Sequence, residues 1–135
     1  MSVCEIVADK ILDNNFGEVT NVTCGSYYVG LSTSEIWISG SGATEPSGGA
    51  YARVEIANDK DTFGAAASGS LVNDIDIEFA ESTDAWGTIT YVFLSSHLSG
   101  GNIYFFEELP ASKIVQDDTI VKFEAGAMTF SMQNS

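Results

Sequence analysis

The sequence predicts an all-β fold: an antiparallel β-sandwich or barrel of roughly seven or eight short strands with one N-terminal α-helix. Three observations carry this. A helical period occurs once, at the start of the chain; from Ser26 onward short apolar runs alternate with Gly, Ser, Asn and Asp; and no second amphipathic stretch follows. The 135 residues, 44% of them apolar, suffice for one domain spanning 1–135 that folds without metal or disulfide staples.

The helix is expected over 2–16. Ser2 and Glu5 have capping-box spacing, and Val3, Ile6, Val7, Ile11 and Leu12 recur at near-helical intervals, with Glu5, Asp9, Lys10 and Asp13 elsewhere on the turn. Gly17 ends it, with Phe16 expected to fold back onto the apolar stripe. A lone helix of this length is marginal in water, so its stripe has to dock on this chain's sheet or on a neighbouring subunit.

The β region is expected over 26–133. Its first strands are Tyr27 to Leu31, Ala50 to Ala57, and a run in which Ile75, Ile77 and Phe79 alternate with Asp74, Asp76 and Glu78. Thr88 to Ser95 is apolar on both faces in its second half, the mark of a covered central strand, and Asn102 to Glu107 is similar. The short link Leu98-Ser99-Gly100-Gly101 makes these two a hairpin at the centre of the sheet. Ile120, Val121 and Phe123, then Ala127 to Met132, read as a closing pair around Glu124-Ala125-Gly126, with Met128, Phe130 and Met132 on one face. The Gly/Ser loop 39–49 carries no large apolar anchor and is expected to be a flexible excursion unless a partner orders it. A second polar stretch, 58–70, is a candidate to lie beside it. No internal repeat suggests a solenoid or propeller.

Five Lys and Arg against nineteen Asp and Glu leave a formal charge of −14. Such a surface repels phosphate backbones and anionic headgroups, so neither nucleic acid nor a membrane surface is expected as a partner. No apolar run approaches the ~18 residues of a membrane span, and no basic flank with an apolar core opens the chain. Use without export by the secretory route is the expectation. Cys4 and Cys24 lie in different local contexts and read as two reduced, partly buried thiols.

No catalytic, cofactor-binding or metal-binding residue is assigned. His97, the one histidine, stands beside Ser95 and Ser96, but strand alternation would point neighbours to opposite faces, and no nucleophile elbow is present; a surface turn histidine is expected. One histidine also argues against a transition-metal site. Asp74, Asp76 and Glu78 read as a solvated strand face, while Asn58, Asp59 and Asp61, or Asp117 and Asp118, lack the calcium-loop pattern. Asn21-Val22-Thr23 is a glycosylation triplet, relevant only in a secretory pathway. Trp86 is expected in the core. Ile36, Trp37 and Ile38 read either as an exposed contact patch or as a flap over the sheet edge. Tyr27, Tyr28, Tyr51, Tyr91 and Tyr104 are mostly assigned to burial with the hydroxyl at the rim.

A series of short strings then resembles a family of small tailed-phage virion proteins, usually described as tail-fibre proteins. They are Asp9 to Asp13 leading to Phe16-Gly17, Tyr28 to Ser34, Glu45 to Val54, Ala66 to Ser70, Asp76 to Thr83, Trp86 to Thr90, Ser99 to Asn102, and Asp118-Thr119 with Phe123 to Gly126. The similarity runs over almost the whole chain. It departs at Glu35-Ile36-Trp37-Ile38, where the pattern is more polar with a proline, and at Ser95-Ser96-His97-Leu98, which replaces an Asp-Ala pair. The resemblance implies a non-enzymatic structural protein of the virion, assembled in the host cytoplasm, with no catalytic residue to carry over.

Residues and resemblance together lead us to expect a homo-oligomer, a trimer or another closed ring, on the tail fibre or baseplate. Its expected partners are other virion structural proteins, with no cofactor. The expected contact residues are Val3, Ile6, Val7, Ile11, Ile36, Trp37 and Ile38. A capsid decoration (cement) protein is the alternative, followed by a host-glycan-binding module using exposed Tyr or Trp, and then by a hydrolase working through acidic residues.

Overall fold

The computed structural model describes residues 1–17 and 24–132. In chain order its elements are β1 (Ser2–Val3), α1 (Glu5–Asn15), β2 (Ser26–Ser32), β3 (Val54–Ala57), β4 (Ser70–Val72), β5 (Ile77–Glu78), β6 (Gly87–Ser95), β7 (Ile103–Val115), β8 (Lys122–Phe123) and β9 (Thr129–Ser131). One antiparallel sheet has the order β1-β7-β6-β2-β3, and two ribbons, β4-β9 and β5-β8, complete the β structure. This is the expected all-β architecture with an N-terminal helix.

The core lies between the large sheet and the ribbons. Val29 and Leu31 of β2 and Val92 and Leu94 of β6 alternate onto one face and meet Ile77, Phe79, Met128 and Phe130 from the ribbons and their flanks. Each such side chain contributes about 1.5–3 kcal/mol when fully buried. Trp86 is buried among them, as expected.

The β6–β7 hairpin forms as the sequence predicts, but β7 runs on to Val115 rather than stopping at Glu107. The register shows how. Tyr91 pairs with Glu108 and Ile89 with Lys113, so residues 109–112 bulge out opposite Thr90. Pro110 sits in that bulge, where its missing N–H takes nothing from the ladder. A second bulge comes between Leu94↔Phe105 and Ser95↔Ile103 and leaves Tyr104 as the extra residue.

Several local expectations are corrected. The capping box does not form, because Ser2 and Val3 are a strand paired with Phe106 and Phe105. The helix starts at Glu5 with Cys4 as N-cap and no side-chain cap. Phe16 does not fold back but is 79% exposed. The second strand is confined to Val54–Ala57, since Gly48, Gly49 and Ala50 turn the chain with φ of 73°, 61° and 64°. Ile75 is exposed while Ile77 and Phe79 are buried: fully buried Asn73 donates from Nδ2 to the Ile75 carbonyl at 2.8 Å and holds that residue off the ladder. The two closing runs do not pair with each other. Asn73 takes the Gly126 N–H at 2.7 Å and the Met128 N–H at 2.9 Å, which splays the turn, so β8 pairs with β5 and β9 with β4. Met132 is exposed, unlike Met128 and Phe130.

Stretch 58–70 packs away from the Gly/Ser loop. The Asn58 N–H donates to Gly25 O at 3.1 Å, the Gly64 N–H donates to Val72 O at 3.0 Å, and Phe63 enters the core. The Asn21-Val22-Thr23 triplet and residue 133 of the expected β region lie outside the described residues. Among the described residues no helix is long and apolar enough to cross a membrane.

Candidate interaction surface

The Gly/Ser loop is ordered from within. Buried Ser32 accepts the Thr44 and Ser34 N–H groups at its Oγ, at 2.9 and 3.2 Å, and Ser34 Oγ donates to Gly42 O at 2.6 Å. The Trp37 N–H donates to Ser41 O and the Gly40 N–H to Trp37 O, each at 2.8 Å. Ile36, 2% exposed, plugs a small cluster with Cys4, Phe93 and Ile103. Gly42 has φ +98°, and a Cβ there would come within 2.8 Å of Trp37 Cδ1, so the indole lies against the glycine. The loop therefore holds Trp37 and Ile38 in fixed positions, 54% and 46% exposed.

Arg53 anchors the other end of the loop. Its guanidinium pairs with Glu45 at 2.8 Å and donates from Nη1 to Ser95 Oγ, His97 O and Gly100 O at 2.9, 2.6 and 2.9 Å. It also lies 5.1 Å from the centroid of the Phe93 ring, which in turn covers Gly30, its partner across β2–β6. Tyr51 Oη donates to Glu45 Oε1 at 2.6 Å and accepts the Leu31 N–H at 3.0 Å. Burial pushes the Glu45 carboxyl up, but the hydrogen bonds from Arg53 and Tyr51 outweigh it and hold the group below its ordinary value. Burial, and then the bond to Glu45, push the Tyr51 phenol up. Trp86 Nε1 donates to Gly49 O at 2.8 Å and closes the loop on the core.

The opening segment reaches the same end of the sheet. The Cys4 N–H donates to Tyr104 O at 2.8 Å and the Glu5 N–H to Ile38 O at 3.1 Å, so the start of α1 abuts the Trp37 loop. Burial, and then the charge of Glu5, push the Cys4 thiol up to about 11, which leaves it a protonated space-filler. Cys4 and Cys24 are both free. Beneath α1 lies a cleft of about 630 Å³ whose walls include Val7, Ile11, Phe105 and Phe130, with Lys10 and Lys60 among its lining residues.

The expected contact residues are thus divided. Val3 and Ile36 are buried by their own chain and offer no surface, because β1 pairing and the Ile36 cluster cover them. Ile6 is half-buried against that cluster, Val7 and Ile11 face the cleft, and Trp37 and Ile38 project outward. Sequence reasoning missed the Arg53–Glu45 pair and the cleft. One signal was available for the pair: Arg53 is the sole arginine of a −14 chain.

The chemistry-bearing groups elsewhere are held in local roles. His97 Nδ1 lies 2.7 Å from Ser96 Oγ; the two meet because they sit in the turn beyond β6 rather than on the strand. Ser96 Oγ also accepts the Asn102 N–H at 3.2 Å. Asp59 Oδ1 accepts the Thr62 N–H at 2.9 Å, and Asp76 takes the Ala125 N–H at 2.9 Å and Lys122 at 3.3 Å.

A family model described as podophage GP4 fiber I protein gp80 matches residues 2–131. The chain belongs to this phage-fibre family. It is a structural protein of a tailed-phage virion, and the matched span takes in α1, the Trp37 loop and the Arg53–Glu45 pair. No curated protein matches it.

Proposed function

We propose that this fibre protein is a non-enzymatic adhesive subunit that oligomerises on the tail fibre or baseplate, with other virion structural proteins as its neighbours. The observation that carries the reading is the rigid apolar projection of Trp37 and Ile38. Tryptophan is among the commonest binding hot spots, and a side chain already fixed by its loop loses little further freedom on contact. The −14 surface keeps copies soluble until apolar surfaces meet. The continuity of the core from β2 to β9 supports treating 1–135 as one domain.

Cryo-microscopy of intact particles tests the placement. Density for this fold on the fibre or baseplate is the expected result. Density over capsid three-fold positions would replace it with a head-decoration role. Light scattering on the purified chain tests the oligomer, and titration with host polysaccharides tests the glycan alternative, for which a saturable enthalpy with a monomeric chain would be decisive.

A further inference from the structure

The cleft under α1 is concave, apolar and bears two lysines, and the Trp37 projection is an apolar knob beside an acid. The cleft is concave, with apolar walls and a volume of about 630 Å³, a size able to bury large side chains. The projection presents Trp37 and Ile38 beside exposed Glu35. The chain has five cationic side chains. Arg53 is used up on Glu45, Lys122 is paired with Asp76 and Lys113 stands exposed on β7, whereas Lys10 and Lys60 both line the cleft, Lys60 donating to Gly64 O at 3.1 Å and flanked there by Asp59. On a surface this acidic, the two lysines lower the repulsion that another acidic surface meets there.

We propose that the cleft of one copy receives the Trp37–Ile38 projection of a second copy, with Glu35 of the incoming loop facing Lys10 and Lys60. This rests on the oligomeric reading above and names the surfaces that perform it. Knob and socket are different patches of the same chain, so the contact is heterologous: each copy offers one of each, and repetition closes a ring or extends a filament. The contact is pre-formed on the knob side, because Ile36, Gly42 and the Ser41 and Glu5 hydrogen bonds already hold the loop.

Two surface variants test it. Trp37→Arg removes the knob, and Lys10→Glu with Lys60→Glu inverts the socket; all three positions are exposed, and circular dichroism confirms folding. Light scattering should show an oligomer for the parent and a monomer for each variant, with affinity lowered roughly thirtyfold or more by loss of the tryptophan. An equimolar mixture of the two variants should form a one-to-one heterodimer and nothing larger, since one intact knob and one intact socket remain. Adding Glu35→Lys to the inverted socket should restore the oligomer. An oligomeric parent whose variants stay oligomeric, or whose mixed variants stay monomeric, overturns this inference and leaves the proposed function standing. A parent that is monomeric at every concentration overturns the oligomeric reading itself.

Discussion

The Gly/Ser loop and the N-terminal helix reverse the roles their compositions suggest. The loop, almost all small and polar, is fastened at Ser32, Arg53 and Trp86 and holds the preceding Trp37 in place. The helix, with a recognisable apolar stripe, buries none of its residues and is held chiefly by what precedes it, the β1 pairing and Cys4. Order in a segment comes from where its ends and a few polar groups are tied, and composition reports only what it could tie with. Periodicity finds segments able to bury a face, not segments that have done so.

The largest blow to this contrast comes from removing the tie. Arg53→Met leaves Glu45 partly buried without its cation and frees the Ser95, His97 and Gly100 acceptors, so urea unfolding should show a loss of about 3–5 kcal/mol. If the loop were held by its backbone bonds alone, the loss would stay near 1 kcal/mol, the scale of one hydrogen bond. Acid gives a second, smaller reading of the same tie. The folded pKa of Glu45 lies below its unfolded value of 4.5, so its contribution is present above that pH and fades as pH falls through the lowered value. The stability gap between parent and Arg53→Met should therefore narrow below pH 4.5. Asp76, also held low by the Ala125 N–H and then by Lys122, titrates alike in both proteins and cancels from the difference.

What was legible in the sequence follows the same division. Thr88 to Ser95 and its hairpin partner declared themselves because contiguous apolar residues and a two-glycine link are local signals, and Trp86 fell into the core with them. The β7 extension did not, because Leu109 to Ser112 has no strand pattern and its place depends on a bulge opposite Thr90. The β4–β9 and β5–β8 pairings depend on Asn73 reaching across to residues 124–128, a long-range contact that no window contains. At the candidate surface, the sequence pointed to apolar residues without dividing them into interior and surface. Val3 and Ile36 look like Ile6 and Ile38 in the sequence and differ only in what the sheet places over them.

Gly42→Ala probes the loop without touching the Arg53 tie. The new methyl would approach Glu35 O at 2.5 Å and the Trp37 indole at 2.8 Å, at a φ of +98° that alanine seldom adopts. A cost of about 1–3 kcal/mol follows from backbone strain. Trp37 should swing away, with a red-shifted emission and faster fluorescence depolarisation. An unchanged spectrum would mean that the indole is not held against Gly42, and the projection would lose its pre-formed character.

The smallest effect is expected at the helix, and its smallness is informative. Leu12 of the predicted stripe and Phe16, expected to fold back onto it, are large apolar residues, yet they are 55% and 79% exposed. Leu12→Ala and Phe16→Ser should each change unfolding free energy in the separated chain by no more than about 0.5 kcal/mol, as surface positions do. A loss of about 2 kcal/mol, the scale of a buried leucine, would show that the stripe docks on its own sheet after all. On the proposed oligomeric reading, the same substitutions measured across a concentration series distinguish a bare surface from a covered one. If copies cover this flank when they meet, the variants weaken association while leaving the separated chain untouched, and the helix earns its apolar stripe only in the assembly.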